Sequence, residues 1–307
     1  MLTVGRDRML DAGHVQPALQ CDAEALPLLV MLHGLHGDHT DWTNRGQLHL
    51  TADRLIALDA IAPLIILMPD GDDSFYVPGP DGDYERYIVD ELIGQVAARY
   101  PVADGRENRF IGGLSMGGYG TWALAAERPD LVAAIAPICG GGDWFRGFPA
   151  RVLNLWEMPV WAFHGARDQV VPPSGSQELV ALLQALGGPA RLTLYPHADH
   201  DSWTETYNNP ALYRWLLMQR LKPHRRPRTL ETALPDGSTL RYWQGGGGCI
   251  IAPESAGLGR LVPLEAKTWQ ALAAERSDPR RLAQELAALG LPSELAPYVT
   301  AVQAAAE

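Results

Sequence analysis

An α/β fold is what this chain predicts: a mainly parallel sheet with helices on both faces, plus a small α+β appendage at the C-terminal end. Three observations carry that expectation. Short, wholly apolar runs alternate with longer segments of helical period, as they do where parallel strands are buried on both faces. Each apolar run ends in turn-forming residues: Gly34, Pro69-Asp70-Gly71, Gly140-Gly141-Gly142. The charge balance then changes after residue 222. Residues 1–222 hold 16 Lys+Arg against 27 Asp+Glu, whereas 223–307 hold 9 of each.

Taken in order, the polar first 27 residues suggest two short strands, near Thr3–Val4 and His14–Leu19. Leu28–Leu32 is a continuous apolar run between Pro27 and Gly34, and Leu64–Met68 is a second. His33–Asn44 reads as a loop, Gln47–Ala60 as a helix, and Gly71–Asp83, rich in Gly, Pro and Asp, as a loop. Tyr84–Tyr100 has helical spacing at Tyr87, Ile88, Glu91, Leu92, Gln95 and Val96, and Pro101 stops it. Four more strands are expected at Arg109–Leu114, Val132–Cys139, Val160–His164 and Arg191–Tyr195. Helices are expected over Ser174–Leu186, ended by Gly187-Gly188-Pro189, and over Ala211–Leu221. The domain expectation is therefore a catalytic domain over 1–222, a linker over 223–228 and a small C-terminal domain over 229–307. In the last, Thr239–Trp243 and Cys249–Ala252 suggest a hairpin around Gly245–Gly248. Leu264–Glu275 and Pro279–Leu289 suggest two short helices ahead of an alanine-rich tail.

Composition removes several functions. The net charge of −11 sits in the main body, which should repel nucleic acid and anionic membranes. No stretch has the apolar length to span a bilayer. Three cysteines, Cys21, Cys139 and Cys249, argue against a disulfide framework. The first residues lack the apolar core of a secretory signal, so a cytoplasmic location is expected. The neutral 223–307 segment suits a packing surface, for a second copy of the chain or for a partner.

The chemistry centres on Ile111-Gly112-Gly113-Leu114-Ser115-Met116-Gly117-Gly118-Tyr119-Gly120. An apolar strand leads in, a helical stretch leads out, and Gly113-Leu114-Ser115-Met116-Gly117 lies between them as G-x-S-x-G, the spacing of a strand-to-helix nucleophile elbow. A serine there needs strained backbone so that its hydroxyl stands clear, and the flanking glycines allow strand and helix to close together. A glycine-rich helix N-terminus that binds an anion has the same pattern, so context must decide. A serine hydroxyl also needs a base. His197 and His200 follow the last strand, and Asp168 follows the one before it. The order Ser115, Asp168, His200 is that of a hydrolase triad with one member after each late strand. His197 is the rival base, and a turn or helix-capping role is the alternative for Asp168. His164, at a strand end, reads as a satisfied structural histidine.

The second oxyanion donor should come from the loop His33-Gly34-Leu35-His36-Gly37-Asp38, with the Leu35 N–H joining that of Met116. Trp42, Tyr76 and Trp203, with Phe75 and Trp144, lie in strand-end loops and could wall an acyl or aromatic pocket, plain packing being the alternative. His33, His36, Asp38 and His39 lack metal-ligand spacing on a fixed element, so no metal is expected.

The blocks His33–Trp42, Ile111–Gly120, His164–Asp168 and His200–Trp203 resemble the putative-esterase (esterase D-like) family of α/β-hydrolases, which includes tributyrin esterases, feruloyl esterases, S-formylglutathione hydrolases and mycolyltransferases. The likeness covers about residues 25–222. It implies hydrolysis of small-molecule carboxylic esters through an acyl-serine, with no metal or organic cofactor. An acyltransferase working through the same acyl-enzyme, or a binding module on an inactive hydrolase core, is the alternative.

Overall fold

The computed structural model describes residues 2–4, 8–10, 25–80, 82–143, 145, 147–220, 229–253, 261–274 and 278–305. The expected strand at His14–Leu19, the 223–228 linker and Trp144 lie outside them. Contacts divide the chain into two units: 1–148, 158–180 and 190–224 in the first, and 149–157, 181–189 and 225–307 in the second.

The first unit begins with β1 (Leu2–Val4), β2 (Arg8–Leu10) and β3 (Leu28–Leu32), followed by α1 (Asp41–Asn44) and α2 (Leu48–Ala57). Next come β4 (Ile65–Leu67), a two-residue hairpin β5 (Pro78–Gly79) and β6 (Gly82–Asp83), α3 (Tyr84–Arg86) and α4 (Ile93–Arg99). The rest is β7 (Arg109–Leu114), α5 (Met116–Glu127), β8 (Ala134–Ile138), β9 (Val160–Gly165), α6 (Ser174–Ala185), β10 (Ala190–Tyr195), α7 (Trp203–Tyr207) and α8 (Pro210–Met218). Among the described residues an eight-stranded sheet runs β10-β9-β8-β7-β3-β4-β1-β2. Strands from β3 to β10 within it pair in parallel, and only β1 and β2 join antiparallel at one edge.

Every residue of β3, β4 and β8 is buried, which is why those segments read as unbroken apolar runs. Helix α5 is buried from Met116 to Ala126 and has no polar face, the pattern of a helix enclosed on all sides. The expected helix over Tyr84–Tyr100 carries a π-helical turn, Tyr87–Leu92, between α3 and α4. The extra residue per turn brings Ile88 and Ile93, five apart, to the buried side and leaves Glu91 and Gln95 exposed.

Parallel strands end on the same side of a sheet. Gly34, Ser115, Cys139, Asp168 and His200 each lie one to five residues past such a strand, so loops distant in the chain share one rim.

The second unit holds a four-stranded antiparallel sheet in chain order, β11 (Thr229–Ala233), β12 (Thr239–Gly245), β13 (Gly248–Ala252) and β14 (Val262–Leu264). Helices α9 (Ala266–Ala274), α10 (Pro279–Ala288) and α11 (Ala296–Ala305) complete it. Leu240, Ile251, Leu264, Leu272, Leu282, Leu286 and Val299 form its own core, all fully buried. The expected hairpin is β12–β13; β11, β14 and α11, in the alanine-rich tail, are additions.

Candidate active site

Ser115 is the single residue between β7 and α5, with φ 52° and ψ −117°. Few residues with a Cβ adopt that backbone, and neighbours must hold it. The Ser115 N–H donates to Ile138 O at 3.0 Å and approaches Cys139 Sγ at 3.2 Å, while Ser115 O accepts from Tyr119 N at 3.0 Å. A Cβ on Gly113 would overlap the Gly117 backbone, and one on Gly117 would overlap the carbonyls of Leu32 and His33. Both flanking glycines are therefore required by the closeness of strand and helix.

His200 bridges the chain's three distant segments. Its Nε2 lies 2.9 Å from Ser115 Oγ and its Nδ1 lies 2.8 Å from Asp168 Oδ2. Asp168 is only 3% exposed, and its other oxygen accepts the N–H groups of Val170 and Val171, both at 2.9 Å. The Trp203 ring stands edge-on to the His200 ring, centroids 5.3 Å apart. His197 is turned elsewhere, with Arg167 Nη2 at 3.4 Å from its Nδ1 on the exposed side of the loop.

The loop after β3 is set by His33, a buried residue. Its Nε2 accepts the Gly71 N–H at 2.9 Å, so Nδ1 carries the hydrogen and donates to Gly34 O at 2.8 Å. Gly37 N donates to the same carbonyl at 3.1 Å. In a trans peptide the C=O and the next N–H point opposite ways, so anchoring Gly34 O turns the Leu35 N–H outward. A Cβ on Gly34 would lie 3.7 Å from Ser115 Cβ, which puts this peptide beside the serine. Among the described residues, neither the Leu35 nor the Met116 N–H has a hydrogen-bond acceptor. Met116 opens α5, where the first amides are unsatisfied by the helix itself. His36 pairs with Asp73 at 2.8 Å and His39 faces Asp70 at 3.5 Å, each on a different partner.

Two expected pocket walls are corrected. Trp42 is 1% exposed and packs edge-on against Tyr207 in the core, centroids 4.9 Å apart. Tyr76 is fully buried beneath the His33 loop, its hydroxyl donating to His33 O at 3.4 Å and its ring filling the space left by Gly71 and Gly120. Burial of this kind leaves no face for a ligand; large aromatics found better packing in the core. Trp203 alone of the three reaches the site. Phe75 and Phe145, both half-buried, meet the buried Tyr119 ring edge-to-face one helical turn after Ser115, and the Tyr119 hydroxyl donates to Asp143 Oδ1 at 3.0 Å. Burial first, and then Asp143, pushes the Tyr119 phenol well above its ordinary range.

Three further residues lie behind the serine and its partners. Cys139, at φ 39°, lies under the serine, and burial pushes its thiol far upward so that it stays protonated. His164 Nε2 lies 3.2 Å from Asp168 Oδ2, and Ser176 Oγ lies 2.8 Å from His164 Nδ1. His164, read from the sequence as a satisfied structural histidine, has a partner on each ring nitrogen, and its place four residues before Asp168 across a tight turn is what brings the two together; nothing in the sequence singles out Ser176.

A parallel sheet with a strained serine at the end of a central strand, facing a histidine–aspartate pair from the next strand-end loops, defines an α/β-hydrolase. Residues 15–193 match the model of the Esterase family, described as "Putative esterase", and the chain belongs to that family. It is 34% identical to an acetyl esterase of Caldicellulosiruptor saccharolyticus over 101 residues, 32% of this chain and 35% of the relative. It is 31% identical to an endo-1,4-beta-xylanase/feruloyl esterase of Xylanibacter ruminicola over 186 residues, 59% of this chain and 25% of the relative. The match thus spans about a third and a quarter of these relatives' lengths. A solved ferulic acid esterase shares the fold with a TM-score of 0.55 at 22% identity, covering 64% of this chain and 86% of its own. Among the described residues no helix is long and apolar enough to cross a membrane.

Proposed function

We propose that the protein is a serine carboxylesterase acting on small or aromatic acyl esters. The observation that carries this is the contact chain Ser115 Oγ, His200 Nε2, His200 Nδ1, Asp168 Oδ2, at 2.9 and 2.8 Å, with Ser115 held at positive φ. In the reaction Ser115 Oγ attacks the ester carbonyl while His200 Nε2 takes the hydroxyl proton. The developing oxyanion meets the N–H groups of Leu35 and Met116. The carbon–oxygen bond to the alcohol then breaks, and His200 returns its proton to the departing oxygen. A water, deprotonated by His200, attacks the acyl-serine; the acyl–Oγ bond breaks, His200 passes the proton to Ser115 Oγ, and the acid is released. Asp168 holds the ring in the tautomer with hydrogen on Nδ1 and stabilises the imidazolium.

Support for an aromatic acyl group comes from the Trp203 ring against His200, from the half-buried Phe75 and Phe145 rings beside Tyr119 of the elbow helix, and from the feruloyl esterase among the relatives. The test is turnover of p-nitrophenyl acetate and methyl ferulate by the full chain and by Ser115→Ala. A loss of at least about a thousandfold in kcat is expected on removing the nucleophile. Wild-type turnover by the variant would end the proposal. Failure of the intact protein to take up a fluorophosphonate would point to an inactive core that only binds.

A further inference from the structure

Asp168 is approached by two imidazoles, and the reaction uses one. Oδ2 receives His200 Nδ1 at 2.8 Å and His164 Nε2 at 3.2 Å. His164, Ser176 and Asp168 are all buried, His164 and Ser176 completely. A polar chain therefore runs from the Gly140 carbonyl through Ser176 and His164 to Asp168 and on to His200 and Ser115.

The hydrogen on His164 can be located by counting acceptors. Its Nε2 is 2.9 Å from Val171 O and 3.2 Å from Asp168 Oδ2, and both oxygens only accept. Nε2 must carry the hydrogen. Burial lowers the imidazole's affinity for a second proton, with the nearby His200 adding to that and Asp168 and Val171 O opposing it. On the other side Ser176 Oγ sits between Nδ1, at 2.8 Å, and Gly140 O, at 2.7 Å, and closes the ring's remaining position. The ring is thus pinned at both nitrogens to two separate strand-end loops and to the first turn of α6. Asp168 Oδ1 thus takes the N–H groups of Val170 and Val171, while Oδ2 takes His200 Nδ1 and faces His164 Nε2, whose single hydrogen it shares with Val171 O. Tyr119 and Cys139 also face this carboxylate, and burial keeps both protonated.

We infer that His164 is a positioning residue for the acid of the triad, holding Asp168 Oδ2 toward His200 and sharing its charge so that the histidine base is neither misaligned nor bound too strongly. The inference rests on the esterase proposal. Two consequences follow for a chain lacking this donor. The Asp168 carboxylate gains freedom to rotate, which costs alignment of His200 in the transition state and appears in kcat more than in KM. The remaining Oδ2–His200 bond strengthens, so protonated His200 is favoured and the acid limb of the rate profile moves to higher pH.

The experiment uses the full chain with His164→Leu, His164→Gln, Ser176→Ala and Asp168→Asn. Each is assayed with p-nitrophenyl acetate over about pH 5 to 9, and rates are divided by the active-site count from fluorophosphonate labelling. His164→Leu is expected to lower kcat per labelled site about tenfold or more with KM within about twofold. Its acid limb should move up by roughly half a pH unit. His164→Gln, which keeps an N–H near the same place, should recover most of both. A merely structural histidine would lower melting temperature and labelled fraction while leaving rate per site and limb unmoved, and that result overturns the inference. So does a folded His164→Gln no better than His164→Leu. Should His164→Leu fail to fold, Ser176→Ala is read in the same way: it must move the limb in the same direction, and an unmoved limb counts against the inference. Asp168→Asn at the wild-type rate would instead bring down the triad itself.

Discussion

At the scale of single residues, the site depends on buried polar groups whose charge state is chosen by their surroundings. His164 gives a stability prediction separate from catalysis. Burial lowers its affinity for a proton below the ordinary histidine value of 6.5. Between its folded value and about 6.5 the unfolded chain binds more protons than the folded one, so stability rises with pH through that window and is lost as pH falls. The slope from one such group reaches about 1.4 kcal/mol per pH unit. Urea unfolding in steps from about pH 5 to 7 should show this slope, and His164→Gln should remove its share. At Leu35, by contrast, the side chain is 45% exposed and only its amide matters to the proposed chemistry. Leu35→Ala should therefore keep kcat within about twofold, whereas Leu35→Pro, which deletes the N–H, should cost about a hundredfold or more.

At the scale of elements, the β7–Ser115–α5 turn is built by close approach. Gly117 lies against the end of β3, so Gly117→Ala must push α5 away from Leu32 and His33. The expected cost is about 1–3 kcal/mol in chemical denaturation, typical of overpacking, with a larger loss of esterase rate because Met116 and Ser115 move with the helix. A milder element-level effect is expected in α10. Asp278 caps it by accepting from Arg280 N at 2.9 Å and Arg281 N at 3.3 Å, with Pro279 in the first turn. Asp278→Ala should destabilise the second unit by about 1 kcal/mol and leave ester turnover unchanged.

At the scale of the whole molecule, the two-unit division bears on what the C-terminal residues do. All the proposed catalytic residues fall in the first unit, while 149–157 and 181–189 belong with 225–307. Within that second unit the tip of the β12–β13 hairpin packs on Trp156, Leu186 and Gly187. Deleting 225–307 therefore strips partners from two segments that remain in the chain. The truncated protein is expected to melt lower, on the order of 10 °C, while keeping kcat at low temperature within a few-fold. Calorimetry with ester kinetics on the truncated chain checks both. A melting point equal to that of the full chain would make the second unit independent.

The alternation of apolar runs and helical stretches, the G-x-S-x-G turn and the order of Ser115, Asp168 and His200 were legible because each is a local pattern or depends on chain order. Buried strands such as Leu28–Leu32 are apolar throughout, and a glycine that must touch backbone shows in the text as a glycine. His197 stayed open as a rival to His200, since both follow β10 and only the path of the loop decides which ring meets Ser115. The fates of Trp42 and Tyr76 were not legible. An aromatic in a strand-end loop can face a ligand or turn inward, and its partners, Tyr207 for one and His33 for the other, are far away in sequence. His164 belongs to the same group: its meaning lies in which carboxylate it reaches. Sequence by itself determined the elements and the chemistry available at one rim of the sheet, because backbone sterics and periodicity act over a few residues. Tertiary packing alone decided which side chains meet there, because burial and hydrogen bonding depend on neighbours that the fold brings together from distant parts of the chain.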